Sequence, residues 1–70
     1  MLSASDRKEM KQRLEALSEI SASDRDKLIY RTKYGLDDGI LRSFEETGRM
    51  FNLTGEGIRL IVRRIDDLIS

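Results

Sequence analysis

An all-α fold is what this 70-residue sequence predicts, and three observations carry the expectation. Apolar residues recur at three- and four-residue steps, the mark of helices with one buried stripe, and nowhere in the strict alternation of a strand. A Ser or Thr stands ahead of each such stretch, where its hydroxyl can cap a helix N-terminus. The chain also has no Cys, His, Pro or Trp. Disulfides and histidine-bound metals are therefore unavailable, and a domain this short must hold itself together by packed helices.

The first helix is expected to begin near Ser3 or Ser5, with Asp6 three residues after Ser3 as an approximate capping box. Met10, Leu14, Leu17 and Ile20 form its stripe, and it should end around Ser21. Ser23 with Asp26 opens a second helix that carries Leu28, Ile29 and Tyr30 inward or partly inward. Gly35 suits the left-handed residue that ends a helix, with Leu36 folding back on the last turn. Asp37-Asp38-Gly39 is turn chemistry, and Ile40 and Leu41 are expected to tuck this loop against the core. Ser43 and Glu46 make the cleanest capping box in the chain, opening a third helix from about Phe44 to Phe51. Asn52-Leu53 then forms a tight turn and Thr54 caps a last helix, with Ile58, Ile61, Ile65 and Leu68 on one face. Residues 1–22 are more polar than the rest. They read as an N-terminal connector helix, and residues 23–70 as the domain proper.

Composition excludes several functions. The chain has 13 basic and 13 acidic residues, so its formal net charge is zero. Residues 1–41 hold 8 of each sign and residues 42–70 hold 5 of each, so neither part is a strongly basic nucleic-acid binder. Without His or Cys, a nucleophile–base pair would need Ser with Lys or a carboxylate. The one Ser-x-x-Lys, at Ser5 to Lys8, falls on the exposed first helix, and Asp37-Asp38 sits in a turn. A chain of this size is also expected to lack a pocket of several hundred cubic ångströms. A non-enzymatic protein without metal or cofactor is the expectation. No apolar run exceeds three residues, so neither a membrane segment nor a signal-peptide core is expected, and the chain reads as cytoplasmic.

The third and last helices, with the turn between them, have the layout of a helix-turn-helix. In that motif one helix braces a second, which presents its solvent face to the DNA major groove. Phe51 and Leu53 flank the turn as anchors, and Gly48 is small where the two helices would cross. The predicted class is thus a small all-α helical domain with a C-terminal helix-turn-helix, preceded by a connector helix. On the last helix Arg59, Arg63 and Arg64 make a cluster of positive charge without intervening acids, with Asp66 and Asp67 directly after it.

Three stretches carry a family resemblance: Tyr34-Gly35-Leu36-Asp37-Asp38-Gly39, Ser43-Phe44-Glu45-Glu46-Thr47-Gly48, and Leu53-Thr54-x-Glu56-x-Ile58-Arg59. In order and spacing, over about residues 24 to 69, the chain resembles region 4 of the primary sigma-factor family of bacterial RNA polymerase. The resemblance implies binding of the promoter −35 element together with docking on the flap of the polymerase β subunit. It implies base or phosphate contacts for Glu56 and Arg59, a capping and phosphate-touching hydroxyl at Thr54, a basic residue on the supporting helix at Arg49, and contacts to DNA or RNA polymerase from the cluster of Arg59, Arg63 and Arg64. It further implies a polymerase-facing surface in which Leu28, Ile29 and Leu36 grip the flap, although most of these residues must also build the core.

The departures from the family pattern are as informative. Gly55 and Gly57 replace two arginines, Leu60 replaces a glutamine, and Val62 an acid. Leu60 lies on the polar face of the last helix, where it suits a thymine methyl or an anchor for a protein partner. DNA binding by the chain alone is therefore expected to be weak. The alternative is a sigma-like interaction module that binds the polymerase flap, an activator or an anti-sigma factor without reading DNA.

Overall fold

Each helix starts on the hydroxyl residue that the sequence marks. In this computed structural model, which describes residues 3–70, Ser3, Ser23, Ser43 and Thr54 cap α1 (Ala4–Glu19), α2 (Asp24–Tyr34), α3 (Phe44–Phe51) and α4 (Gly55–Ile69). Their oxygens accept from the backbone N–H of Asp6, Asp26, Glu46 and Gly57 at 3.0–3.1 Å. At Ser3 and Ser43 the acid three residues on also accepts from the cap's own N–H, completing two capping boxes. Each such cap is worth about 1 kcal/mol. No strand occurs among the described residues.

The helix ends follow the same local logic. Gly35 has φ +63°, its N–H donates to Thr32 O, and the Leu36 N–H donates to Arg31 O at 2.9 Å. This double return bond drives Leu36 into the core. Any Cβ at Gly35 would stand 2.5 Å from the backbone of Ile40, so space and backbone conformation both demand glycine. α1 stops at Glu19, two residues before the expected end, because Ile20 is already extended.

The core comprises Leu17, Ile29, Tyr30, Leu36, Ile58, Ile61, Val62 and Ile65, with Met10, Leu14, Ile20, Phe44, Phe51, Leu53 and Ile69 packed around it. α4 lies at its centre, packed on α3 and α2 and touching α1. The expected stripe of α4 is corrected at one position: Leu68 is exposed, and Val62, which that stripe did not include, is buried. The next inward position after Ile65 is Ile69, four residues on, and the need to face two helices widens the stripe to include Val62. Ile40 and Leu41 are also exposed, Leu41 at 71%. The loop that carries them is held by polar bonds instead. Arg42 reaches the Asp38 carboxylate at 2.7 Å and the Thr32 carbonyl at 2.9 Å, and the Gly39 N–H donates to Gly35 O at 2.7 Å.

A polar chain crosses the apolar core. The Arg13 guanidinium donates to the Tyr30 hydroxyl at 2.6 Å, and that hydroxyl donates to the Asp66 carboxylate at 2.7 Å, joining α1, α2 and α4. Arg13 also lies over the Tyr34 ring, 4.5 Å from its centroid. Burial, together with the bond to Asp66, pushes the Tyr30 phenol well above the usual tyrosine range.

Candidate nucleic-acid interface

The turn between α3 and α4 is built from two special backbone positions. Asn52 adopts the left-handed conformation (φ +57°), which asparagine tolerates better than most residues. Its N–H and that of Leu53 both reach the Gly48 carbonyl, the latter at 2.8 Å. Gly48 lies so close beneath the turn that a Cβ there would stand 2.5 Å from the Leu53 carbonyl oxygen. Phe51 and Leu53 pack against the core on either side of the turn, as expected of anchors. Thr47 is fully buried and donates its hydroxyl to Ser43 O at 2.9 Å.

With Ile58, Ile61, Val62 and Ile65 turned inward, α4 presents Glu56, Arg59, Leu60, Arg63, Arg64 and Asp67 to solvent. Glu56 and Arg59 bind each other through two contacts of 2.6 and 2.9 Å. Arg59 holds the Glu56 carboxyl below its ordinary range, and Glu56 raises Arg59 in turn. Arg64 lies 3.7 Å from Asp26, which Arg25 also approaches at 3.1 Å. Arg63 makes no ion pair among the described residues. Arg49 is exposed on α3. Thr54 is exposed at the start of α4, and its oxygen accepts from the Gly57 N–H at 3.0 Å, which leaves the hydroxyl proton free to donate.

The six expected DNA-contacting residues therefore all stand on the outer surface of α3, α4 or the turn between them. The four expected protein-contacting residues divide. Leu28 and Leu60 are exposed, at 40% and 48%. Ile29 and Leu36 are buried in the core, where they fill space between helices and offer nothing to a partner.

Sequence reasoning missed two features. The Glu45 carboxylate lies over the first turn of α4, 3.1 Å from where a Cβ of Gly55 would be. An acid there suits the positive end of the helix but repels phosphate. The pairing follows only from the folded turn, since the two residues are ten positions apart. The second feature is an open groove of about 420 Å³, lined by Asp6, Glu9, Met10, Arg13, Tyr34, Gly39 and Leu41. This overturns the expectation that so short a chain lacks a space of that size. The groove is a cleft between α1 and the loop after α2, so no enclosing shell is needed to make it.

Among the described residues, no cluster of carboxylates is placed to hold a metal ion, and no helix is long and apolar enough to cross a membrane. A braced helix, a tight turn and a longer helix with an uncovered charged face define a helix-turn-helix domain.

No protein-family model matches the chain. Among curated proteins it is similar to the RNA polymerase sigma factor SigA1 of Synechococcus elongatus, 49% identical over 45 residues, which is 64% of this chain and 11% of that protein. The sigma factor SigA of a Nostoc species is 49% identical over 41 residues, 59% of this chain and 10% of that protein. SigA of Listeria monocytogenes is 42% identical over 52 residues, 74% of this chain and 14% of that protein. The chain carries a sigma-factor region of the primary type. It spans only 10 to 14% of the length of these relatives.

Proposed function

We propose that the chain acts in transcription initiation as a sigma region 4-like domain, binding the promoter −35 element while docked on the flap of the RNA polymerase β subunit. The observation that carries this reading is the exposed charged face of α4 beside a tight Gly48–Asn52 turn, in a chain similar to primary sigma factors. In this reading α4 enters the major groove. Glu56 accepts from a cytosine N4 amine, and Arg59, once released from Glu56, reaches guanine or a phosphate. Thr54, Arg49, Arg63 and Arg64 hold phosphates. Docking uses the exposed Leu28 and the cleft at Met10, Tyr34 and Leu41. The domain works in the cytoplasm and needs neither cofactor nor metal.

Titration against a −35 duplex and a scrambled duplex at low and moderate salt tests the DNA half. Preference for the −35 duplex is expected at low salt, and equal binding to both duplexes at either salt would refute it.

The acid at the start of α4 and the two glycines beside it favour a second reading. Here the domain is held on DNA by its partners, or serves as an interaction module for the flap, an activator or an anti-sigma factor. Capture of a flap-tip peptide by the chain, unaffected by competitor DNA, would support it. Absence of capture would count against it.

A further inference from the structure

Leu60 is half exposed on the outward face of α4, and its neighbours on that face are charged: Glu56 one turn before, Arg59 beside it, and Arg63 and Arg64 one turn after. The other exposed large apolar side chains among the described residues are elsewhere: Leu28 on α2, Ile40 and Leu41 in the loop, Met50 on α3, and Leu68 two turns further along α4. An anchor for a protein partner works as the centre of an apolar cluster from which water is excluded. A single leucine ringed by charge does not fit that description. It fits a major groove, where phosphates on either side meet arginines and the one apolar feature on any base-pair edge is the thymine C5-methyl group.

Resting on the reading that α4 enters the major groove, we propose that Leu60 reads the methyl group of a thymine about two base pairs from the base that faces Glu56. Four residues of helix advance about 6 Å, and successive bases on one strand are about 3.4 Å apart, which sets the spacing. Glu56 and Leu60 then form a two-point reader, one polar and one apolar. No core contact is used, because both side chains are already outside the packed stripe.

The test starts by selecting bound duplexes from a randomised pool with the full chain at low salt. Each thymine of the enriched site is then replaced singly by deoxyuridine, which removes only the methyl group and keeps base pairing. One thymine should show a loss of about four-fold on replacement, the transfer value of one methyl-sized group. The same replacement should be neutral for Leu60→Ala. This variant alters an exposed position and should keep the parent's helical circular dichroism. If every replacement is neutral in the parent, or the loss persists in Leu60→Ala, the inference is overturned while the reading of α4 stands. If no sequence is enriched at all, both fall together.

Discussion

Replacing Gly55 and Gly57 by arginine should convert the neutral start of α4 into a phosphate clamp. Both residues lie in the first turn of the helix, and neither has a positive φ. A Cβ at 55 has the flexible Glu45 side chain as its nearest neighbour, at 3.1 Å, and one at 57 meets the Thr54 hydroxyl oxygen at 3.3 Å. Both substitutions are therefore compatible with the fold after shifts of a few tenths of an ångström. The gain in helix propensity over glycine, about 0.5–1 kcal/mol each, is offset by placing cations at the positive end of the helix, so stability should change little. Two added phosphate contacts steepen the dependence of log K on log salt by about 1.8. Over a four-fold rise in salt the double variant should thus lose about 12-fold more affinity than the parent, while binding tighter at the low end. If the arginine at 55 is captured by Glu45, the added slope falls towards about 0.9, and Glu45→Gln should recover it. Fluorescence anisotropy on a labelled duplex across that salt range reads the slope directly. A double variant with the parent's slope would show that the start of α4 does not face phosphates, and would refute the assignment of α4 as the groove-entering helix.

Tyr30→Phe should lower stability in urea by about 0.5–1.5 kcal/mol, because the hydroxyl's bonds to Arg13 and Asp66 are lost while both partners can turn to water. Since the fold raises the Tyr30 phenol, the contribution is full below the ordinary tyrosine pKa of about 10 and is lost as pH rises beyond it. An alkaline unfolding series should show that loss in the parent and not in Tyr30→Phe. Gly48→Ala should lower stability by about 1–3 kcal/mol through the clash with the Leu53 carbonyl, seen as a fall in Tm. Asp38 and Glu56 are held below the ordinary carboxylate range by Arg42 and Arg59, so their contributions are present near neutrality and lost as pH falls through the lowered values. Acid titration followed by NMR of the two carboxyls should show each below its own ordinary range, and salt should bring both back towards it.

Features set by neighbours in sequence are legible from the sequence itself. The serine and threonine caps, the Gly35 stop and the bounds of α3 depend on residues within four positions of one another, and each is where the sequence puts it. What escaped depends on residues far apart in sequence. Choosing between Val62 and Leu68 requires knowing that α4 faces two helices at once. The exposure of Ile40 and Leu41 follows from Arg42 satisfying the loop's polar groups. For the interface, the outward face of α4 is legible from its period, and the core places of Ile29 and Leu36 from their positions on α2 and just after its glycine stop. The approach of Glu45 to Gly55 and the cleft beside Tyr34 are not, since both arise where separate elements meet.

The bond from Arg13 through Tyr30 to Asp66 gives the domain a built-in reporter. The chain has no tryptophan and only two tyrosines, Tyr30 and Tyr34, whose ring centroids are 4.7 Å apart. One of these phenols touches three helices at once. The near-ultraviolet signal of the unlabelled chain therefore comes mainly from the junction of α1, α2 and α4. Any event that lifts α1, or shifts the C-terminal half of α4, registers as a change in tyrosine absorbance or ionisation. Engagement of either end by a partner can thus be followed without altering a residue.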